Sequence, residues 1–272
     1  MGSRIKPHRP VLQRGHPSAR GLVLALPFWE RGGATVQDEV RQLPVALVSN
    51  PTRTTGQFGP QVSVSGGSHI SVTDHPVLDV PGSATIALWV RPSTTTALDV
   101  LAARWKDSAG DNKRAFALAL NDDTGVIRFD TSDTGSFVAG NKATSANALQ
   151  DGIWAHVVAV HNAAGLTNTI YLNGVQDGQA TGVSAGLFAT DIPLQIGAAD
   201  FGGTLESAAA DFADVRFWSR ALPPAEVLSL YLDPWAMYRP TGRGTLANTL
   251  QPALPRRLMQ TIAPQNLQHL TF

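Results

Sequence analysis

The chain has 272 residues, of which 43% are hydrophobic and 15% charged, and its formal net charge is zero. This length allows one large β domain or two small ones, with enough residues to bury a sizeable core. The absence of cysteine excludes disulfides, thiolate zinc sites and a cysteine nucleophile, and no apolar run approaches the roughly 18 residues of a membrane span.

Residues 1–20 are predicted to form an extended basic arm, because they contain three prolines and little apolar periodicity. No acidic residue precedes Glu30. The apolar run from Leu22 to Leu26 is too short for the hydrophobic core of a secretory leader, so we expect no signal peptide. The basic residues of this arm, which we expect to contact partners, are Arg4, Lys6, Arg9, Arg14 and Arg20.

From Gly21 onward, short apolar runs bounded by Gly, Pro or Asn indicate strands rather than helices. The stretch "QVSVSGGSHISVTD" alternates apolar and polar residues on both sides of Gly66-Gly67 and predicts a β-hairpin. In "ATIALWVRP", Ile86, Leu88 and Val90 share one face while Ala87 and Trp89 share the other. A strand that is apolar on both faces is expected inside a sheet.

The second half repeats the same pattern. "RAFALALNDDTGVIRFD" predicts two strands joined at residues 122–125, and "NTIYLNGVQDG" turns at Asn173-Gly174, the strongest short hairpin signal in the chain. Turn signals recur about every ten residues and helical periodicity is nearly absent. We therefore predict an all-β fold, an antiparallel two-sheet jelly-roll sandwich with one short C-terminal helix and extended terminal arms.

The one predicted helix spans residues 224–231 and packs on the sandwich through Val227, Leu230 and Tyr231. A basic, Pro-rich C-terminal arm follows. The predicted organisation is an N-terminal arm (1–20), a jelly-roll domain (21–235) and a C-terminal arm (236–272). Residues 30–233 carry 12 basic and 21 acidic residues, so the body is acidic between two basic arms. The residues of the C-terminal arm that we expect to contact partners are Arg243, Arg256, Arg257, Leu258 and Phe272.

Five motifs in order resemble the concanavalin A-like lectin/glucanase superfamily, specifically its laminin-G-like, pentraxin-related jelly rolls. They are "LALPFWERGGATVQD", "GSHISVTDHPVLDVPGSATIALWVRP", "GIWAHVVAV", "TIYLNGV" and "FADVRFWSRALPPAEVLSLY". The resemblance covers roughly Gly21 to Tyr231 and implies two antiparallel sheets of six or seven strands each. The "PWAMYRP" stretch after the helix is also similar to lectin-like proteins encoded in tailed-phage genomes.

The resemblance implies a fold, not one function, because members bind glycans, bind proteins or hydrolyse glucans. The glucanases place their carboxylates in an E-x-D-x-x-E or E-x-D-x-E strand, with nucleophile and acid about 5.5 Å apart. No such strand occurs here. Asp211 and Asp214 would point to opposite faces of a regular strand, so we predict that the protein is not an enzyme.

Metal and ligand sites are predicted on loops. The laminin-G-like modules hold Ca²⁺ at a sheet edge, and Asp107 and Asp111 in "KDSAGDNK" are the first candidates for that role, with Asp122-Asp123 second and a solvated loop as the alternative. No other cofactor is predicted. His156 is interpreted as a structural histidine. Trp105 and Phe137 are the candidate aromatic platforms for a glycan, and Phe188 and Phe201 also lie near predicted loops.

Two functions remain open. The first is a non-enzymatic virion structural protein of a tailed phage, a capsid decoration or cement protein. Its arms would contact the major capsid protein or neighbouring copies in a homo-oligomer, after synthesis in the host cytoplasm. The second is a carbohydrate-binding, lectin-like module that recognises surface glycans. Nucleic acid is the less favoured partner, because nine basic residues over the two terminal segments are sparse and give weak, salt-sensitive binding.

Overall fold

The computed structural model describes residues 6–7, 11–95, 98–108, 110–121 and 124–239. Within this part of the chain, no helix is long and apolar enough to cross a membrane. The strands are β1 (Leu22–Leu26), β2 (Val45–Val48), β3 (Thr52–Gly56), β4 (Gly59–Val64), β5 (His69–Val72), β6 (Ala84–Pro92), β7 (Val100–Lys106), β8 (Lys113–Leu120), β9 (Val126–Thr131), β10 (Ala143–Ala148), β11 (Ala155–Asn162), β12 (Thr167–Leu172), β13 (Val175–Thr181), β14 (Leu194–Ile196), β15 (Ala198–Phe201), β16 (Thr204–Ser207) and β17 (Ala210–Trp218).

These strands form two sheets, which confirms the predicted all-β sandwich. Sheet A has eight strands in the order β13-β12-β11-β6-β17-β4-β3, with β1 paired to β17. Sheet B has nine strands in the order β10-β9-β8-β7-β14-β5-β2, and β15 and β16 form a hairpin beside β7. Every pairing between strands is antiparallel except the single contact of β15 with β7.

The turn signals are confirmed at one site and wrong at another. Asn173 and Gly174 have φ angles of 53° and 84° and join β12 to β13 in a tight hairpin. The predicted hairpin across Gly66-Gly67 is wrong, because β4 pairs with β17 in sheet A while β5 pairs with β14 in sheet B. The alternating residues of both strands face the same core from opposite sides, so the two glycines connect the sheets instead of closing a hairpin.

The core lies between the sheets and includes Ile86, Leu88 and Val90 of β6, as their shared face predicted. The outer face of sheet A is also apolar, and a second layer of side chains covers it. Helix α1 (Pro224–Leu232) buries Val227 and Leu230 there, and a 3-10 turn (Ala236–Tyr238) adds Met237 and Tyr238. The predicted closing helix and its apolar stripe are therefore confirmed, one residue longer than expected.

The described part of the N-terminal segment packs on this same outer layer. The N–H of Gln13 donates to the carbonyl of Met237 at 2.8 Å, and the indole N–H of Trp218 donates to the carbonyl of Ser18 at 2.7 Å. Residues 17–19 form a short 3-10 turn. Through these contacts, residues 11–20 and 236–239 pack on the sandwich. The predicted domain boundaries after residues 20 and 235 stay predictions.

One fully buried carboxylate organises the irregular segment between β1 and β2. Asp38 Oδ1 accepts the backbone N–H groups of Ala25 (3.0 Å) and Val40 (3.1 Å). Its Oδ2 accepts those of Arg41 (2.9 Å) and Leu43 (3.3 Å). Four N–H groups that no strand partner satisfies are thus paired by one side chain, which fixes the path of the chain against β1.

Replacing Asp38 with Ala should lower the free energy of unfolding by at least about 3 kcal/mol, because four N–H groups lose a charged acceptor. Equilibrium denaturation with guanidinium chloride measures this change. Asp151→Ala is the matched control, since Asp151 is exposed and accepts one bond from Thr95, and it should change stability by less than about 1 kcal/mol. Equal effects of the two substitutions would contradict the role of Asp38.

Candidate ligand-binding site

Three loops meet at one end of sheet B. They are the β7–β8 connection, the segment after β9 and residues 188–191. Gly135 marks their closest approach, because a Cβ added there would lie 2.5 Å from the Asn112 carbonyl oxygen and 3.1 Å from Cε1 of Phe188. Gly135 also has a φ of 81°, which favours glycine. A residue without a side chain is therefore needed for the three loops to pack together.

Between the first and third of these loops lies a cavity of about 520 Å³, which we call the rim pocket. Carboxylates dominate its wall, together with one amide, one hydroxyl, one ammonium group and one aromatic ring. Its lining residues are Asp74, Asp79, Asp111, Asn112, Lys113, Phe188, Ala189, Thr190 and Asp191.

A buried guanidinium lies behind the wall of the rim pocket. Arg104 is 1% exposed, and it donates to Oδ1 of Asp74 at 2.6 Å and to Oδ1 of Asp79 at 2.9 Å. It also donates to the carbonyl oxygens of Thr190 and Ile192. One cation from β7 thus ties the β5–β6 connection and the segment 190–192 together behind the pocket.

The wall keeps free hydrogen-bonding capacity. Asn112 lines the cavity and is exposed, so its amide is open to a ligand, whereas the unpartnered hydroxyl oxygen of Thr190 is buried in the wall. Lys113 lies 2.8 Å from Asp191 and 3.5 Å from Asp111. The hydrogen bond from Lys106 to Asp111 lowers the pKa of that carboxyl, as does nearby Lys113, so Asp111 acts as an acceptor at neutral pH. A neutral molecule rich in hydroxyl groups would satisfy these acceptors without disrupting the ion pairs.

The predicted aromatic residues lie together beside the loop that contains Gly135. Trp105 is 2% exposed, so it packs beneath the other rings and does not face solvent. Phe201 stacks on it with ring centroids 5.6 Å apart, and Phe137 meets it edge-on at 6.4 Å. Phe137 is 48% exposed. Phe137 and Phe201, not Trp105, form the accessible part of this aromatic patch, and Phe188 belongs to the rim pocket.

The predicted calcium ligands are both engaged by cations of the chain. Asp107 pairs with Arg114 at 3.0 Å, and Asp111 pairs with Lys106 at 2.7 Å. Within the described ranges, no group of three or more His, Asp or Glu residues could hold a metal ion. Ca²⁺ binding through Asp107 and Asp111 stays a prediction and would require these ion pairs to open. Asp122-Asp123 lies outside the described residues.

The expected geometry of Asp211 and Asp214 is wrong. The register of β17 against β6 shifts between Phe212 and Asp214, and this bulge turns both carboxylates to the outer face of sheet A. Asp211 pairs with Arg91. Asp214, 4% exposed, pairs with Arg216 at 2.9 Å, and burial raises its pKa to about 6. Residues 234–238 pack over the Asp214–Arg216 ion pair, since Arg216 donates to the carbonyl of Pro234 and lies 5.4 Å from the ring of Trp235.

The predicted partner-binding residues of the N-terminal arm contact their own chain where they are described. Arg14 donates to the carbonyl of Val40 at 3.1 Å, and the carbonyl of Arg20 accepts from Arg220 at 2.6 Å. Lys6 is part-buried and donates to the carbonyl oxygens of Phe28 and Pro60. Their binding to partners stays a prediction. Arg4, Arg9, Arg243, Arg256, Arg257, Leu258 and Phe272 lie outside the described residues.

Sequence reasoning missed most of the rim pocket. Asp74 and Asp79 lie in the β5–β6 connection, far in sequence from Asp191, and Arg104 sits in an apolar strand where its charge is unexpected. The only local signal was that charge: an arginine inside "VLAARWK" must find acidic partners if the strand is buried. His156, by contrast, is 3% exposed and packs 5.1 Å from Trp89, as a structural histidine should.

The two sheets, the closing helix and the loop-edge pocket define a lectin-like jelly roll. The family model Laminin_G_3 (Concanavalin A-like lectin/glucanases superfamily) matches residues 64–228, more than half of the chain. The chain belongs to this family. No curated protein matches its sequence significantly.

Solved structures with the same fold are distant in sequence. The binding domain of Paraclostridial Mosquitocidal Protein 1 matches with a TM-score of 0.61 and 16% identity over 78% of this chain and 52% of that one. The binding domain of botulinum neurotoxin DC, in complex with rat synaptotagmin II, matches with 0.57 and 14% over 78% and 51%. This chain therefore spans about half the length of the toxin binding domains.

A third structure is close in size as well as fold. Domain 4 of AbnA, a GH43 extracellular arabinanase from Geobacillus stearothermophilus, in complex with arabinotriose, matches with a TM-score of 0.57 and 15% identity. The match covers 77% of this chain and 98% of that domain. At this identity the likeness shows the shared fold alone.

Replacing Arg104 with Met should lower the free energy of unfolding by about 2–3 kcal/mol, because Asp74 and Asp79 lose their common cation. The loss is smaller than for a fully buried pair, since the two carboxylates are 34% and 28% exposed. Urea denaturation measures it. Arg91→Met is the control and should cost less than about 1 kcal/mol, because Arg91 is 40% exposed. A similar cost for both would show that Arg104 does not hold the pocket together.

Proposed function

We propose that the protein is a non-enzymatic carbohydrate-binding domain whose binding site is the rim pocket. The observation that carries the proposal is the rim pocket itself, a cavity of about 520 Å³ whose wall presents four carboxylates and one amide. Vicinal hydroxyls of a sugar donate to carboxylates and accept from amide and ammonium groups, and the pocket presents all of these. Phe188 adds a ring on which the apolar face of a sugar can pack.

The arrangement of charges in the rim pocket favours a neutral glycan over a charged ligand. Each of its four carboxylates already has a cationic partner, namely Arg104 for Asp74 and Asp79, and Lys113 for Asp111 and Asp191. An anion would meet four carboxylates, and a cation would compete with the ion pairs already present. A hydroxyl-rich ligand uses the remaining lone pairs of the same oxygens.

The structural neighbours support this class of ligand. Domain 4 of the arabinanase holds arabinotriose on the same fold, and 98% of that domain is matched by this chain. The toxin domains support a role in recognition of surfaces and receptors, since one of them binds rat synaptotagmin II. A domain that binds a ligand without chemistry also agrees with the covered position of Asp214, the buried member of the Asp211 and Asp214 pair.

The first test is binding of the full chain to a broad glycan array, with arabinotriose as a defined probe in solution. We expect binding of at least one neutral oligosaccharide, and added Ca²⁺ distinguishes a calcium-dependent mode through Asp107 and Asp111 from the direct one. Absence of binding to every glycan with and without Ca²⁺ would refute the proposal.

The second test locates the site with Asn112→Ala, which removes an exposed amide from the pocket wall. This variant should change the free energy of unfolding by less than about 1 kcal/mol, because Asn112 is exposed, and it should bind the glycan about tenfold more weakly. Isothermal titration calorimetry measures the affinity. Gln150→Ala, in a separate cavity of about 450 Å³, is the matched control and should not change it. Unchanged affinity in Asn112→Ala would move the site away from the rim pocket.

A second proposal is the virion structural role, in which the basic terminal segments bind neighbouring copies or a capsid protein. The separation of charge favours it, because residues 234–272 carry four arginines and no acid while the middle of the chain has a net charge of −9. Analytical ultracentrifugation of the full chain should show oligomers that dissociate as salt shortens the screening length from about 10 Å to about 3 Å. Deletion of residues 241–272 should leave a monomer at every salt concentration. A full chain that is monomeric at low salt would contradict this role.

A further inference from the structure

The side chain of Lys6 is inserted into the outer layer of sheet A. Its Nζ donates to the carbonyl oxygen of Pro60 and, at 3.4 Å, to that of Phe28. Its backbone N–H donates to the carbonyl of Phe58 at 3.1 Å. A lysine amine in a largely buried position is unusual for this residue type, so the contacts around it must be specific.

Aromatic rings enclose this amine. The Nζ atom lies 5.7 Å from the ring centroid of Trp29 and 5.6 Å from that of Trp235. The two indole rings are 5.3 Å apart, and Tyr238 meets Trp29 edge-on at 5.4 Å. Two indole rings and two carbonyl oxygens therefore surround the amine, and we call this set of groups the aromatic cage.

Two residues beside the cage have positive φ angles. Gly59 has a φ of 107°, which favours glycine, although a Cβ there would make only an ordinary contact of 3.5 Å with Cδ of Lys6. Phe28, whose carbonyl accepts from Lys6, has a φ of 52° without being glycine. The unusual conformation of Phe28 turns its carbonyl toward the amine at the cost of backbone strain.

We propose that Trp29, Trp235 and the carbonyl groups of Phe28 and Pro60 form a binding site for a lysine side chain, which Lys6 occupies and which locks the N-terminal segment onto the body. The segment has a docked state, with Lys6 in the cage, and a released state, in which its basic residues are available to acidic partners. The cage requires an unmodified lysine amine, because the amine must donate an N–H group to each of the two carbonyl oxygens.

The charged groups that face Lys6 are Asp214 and Arg216 of β17 and Glu30 after β1. Burial lowers the pKa of Lys6 from 10.5 to about 7, against the attraction of Asp214 and Glu30 and with the repulsion of Arg216. The neutral amine that predominates above this value keeps two N–H groups, which match the two carbonyl acceptors.

Docking of the N-terminal segment depends on pH because the pKa of Lys6 is lower in the docked state. Between pH 7 and 10.5 the released segment carries a proton on Lys6 that the docked segment lacks, so docking strengthens as pH rises. Asp214, with a pKa of about 6, is ionised throughout this range. Burial raises the pKa of Tyr238 far above its usual 10.0, so this phenol stays neutral. The change therefore reports Lys6.

Hydrogen exchange of the full chain measures docking through the amide of Gln13, which is bonded to the carbonyl of Met237. After correction for intrinsic exchange, protection should rise by up to about 100-fold from about pH 7.5 to about pH 9.5. Lys6→Met keeps the apolar stem and removes the amine, so protection should be lower at high pH and lose its pH dependence. The same pH profile in both proteins would overturn the proposal.

A titration in trans tests whether the cage recognises lysine itself. The Lys6→Ala full chain is titrated with an N-acetylated peptide, MGSRIKPHRP, and with the same peptide carrying Ala at position 6, while tryptophan fluorescence is followed. We expect the lysine peptide to bind at least tenfold more tightly. Equal binding of the two peptides, or binding of neither, would overturn the lysine site.

Discussion

The burial of both faces of sheet A is the constraint on which the rest of the structure depends. Strand β6 places Leu88 toward the inner core and Trp89 toward the outside, and both are 0–1% exposed. An apolar outer face cannot stay in water without a large free-energy cost, so a third layer must cover it. Helix α1, the turn at 236–238 and the N-terminal segment supply that layer. Residues 11–20 and 236–239, which flank the lectin fold, are therefore structural parts of the body.

The outer face of sheet B is not covered by any helix of the described residues, and the loops at its end leave room for a ligand. Its outer residues on β8 are small, such as Ala117 and Ala119, and its exposed end carries paired charges instead of an apolar cover. Arg104 stabilises this arrangement, because it reaches from a buried strand to two carboxylates of the β5–β6 connection and to carbonyl groups of the segment 190–192. A rim held by ion pairs keeps its shape without being filled, which is the property that a preformed binding pocket needs.

Local patterns were enough to predict the strands, the helix and the fold class, because alternation and turn residues act over a few positions. The Asn173-Gly174 hairpin illustrates this, since both residues supply the positive φ that the turn requires. Gly66-Gly67 has the same local chemistry but joins two sheets, and only the partners of β4 and β5 decide between the outcomes. The bulge near Asp214 and the assembly of the rim pocket likewise depend on residues distant in sequence.

The buried acids of the chain show how environment assigns their roles. Asp38 accepts four backbone N–H groups, so both of its oxygens are hydrogen-bonded and its role is to hold the backbone in place. Asp214 has Arg216 as its hydrogen-bonding partner and a pKa raised by burial, so its charge influences the nearby Lys6. The acids of the rim pocket are part-exposed and retain free lone pairs for a ligand. Aspartate thus has three roles in this chain: it fixes a loop, sets the charge near Lys6 in its cage, and lines a binding pocket. The number of hydrogen-bond donors around each carboxylate distinguishes these roles.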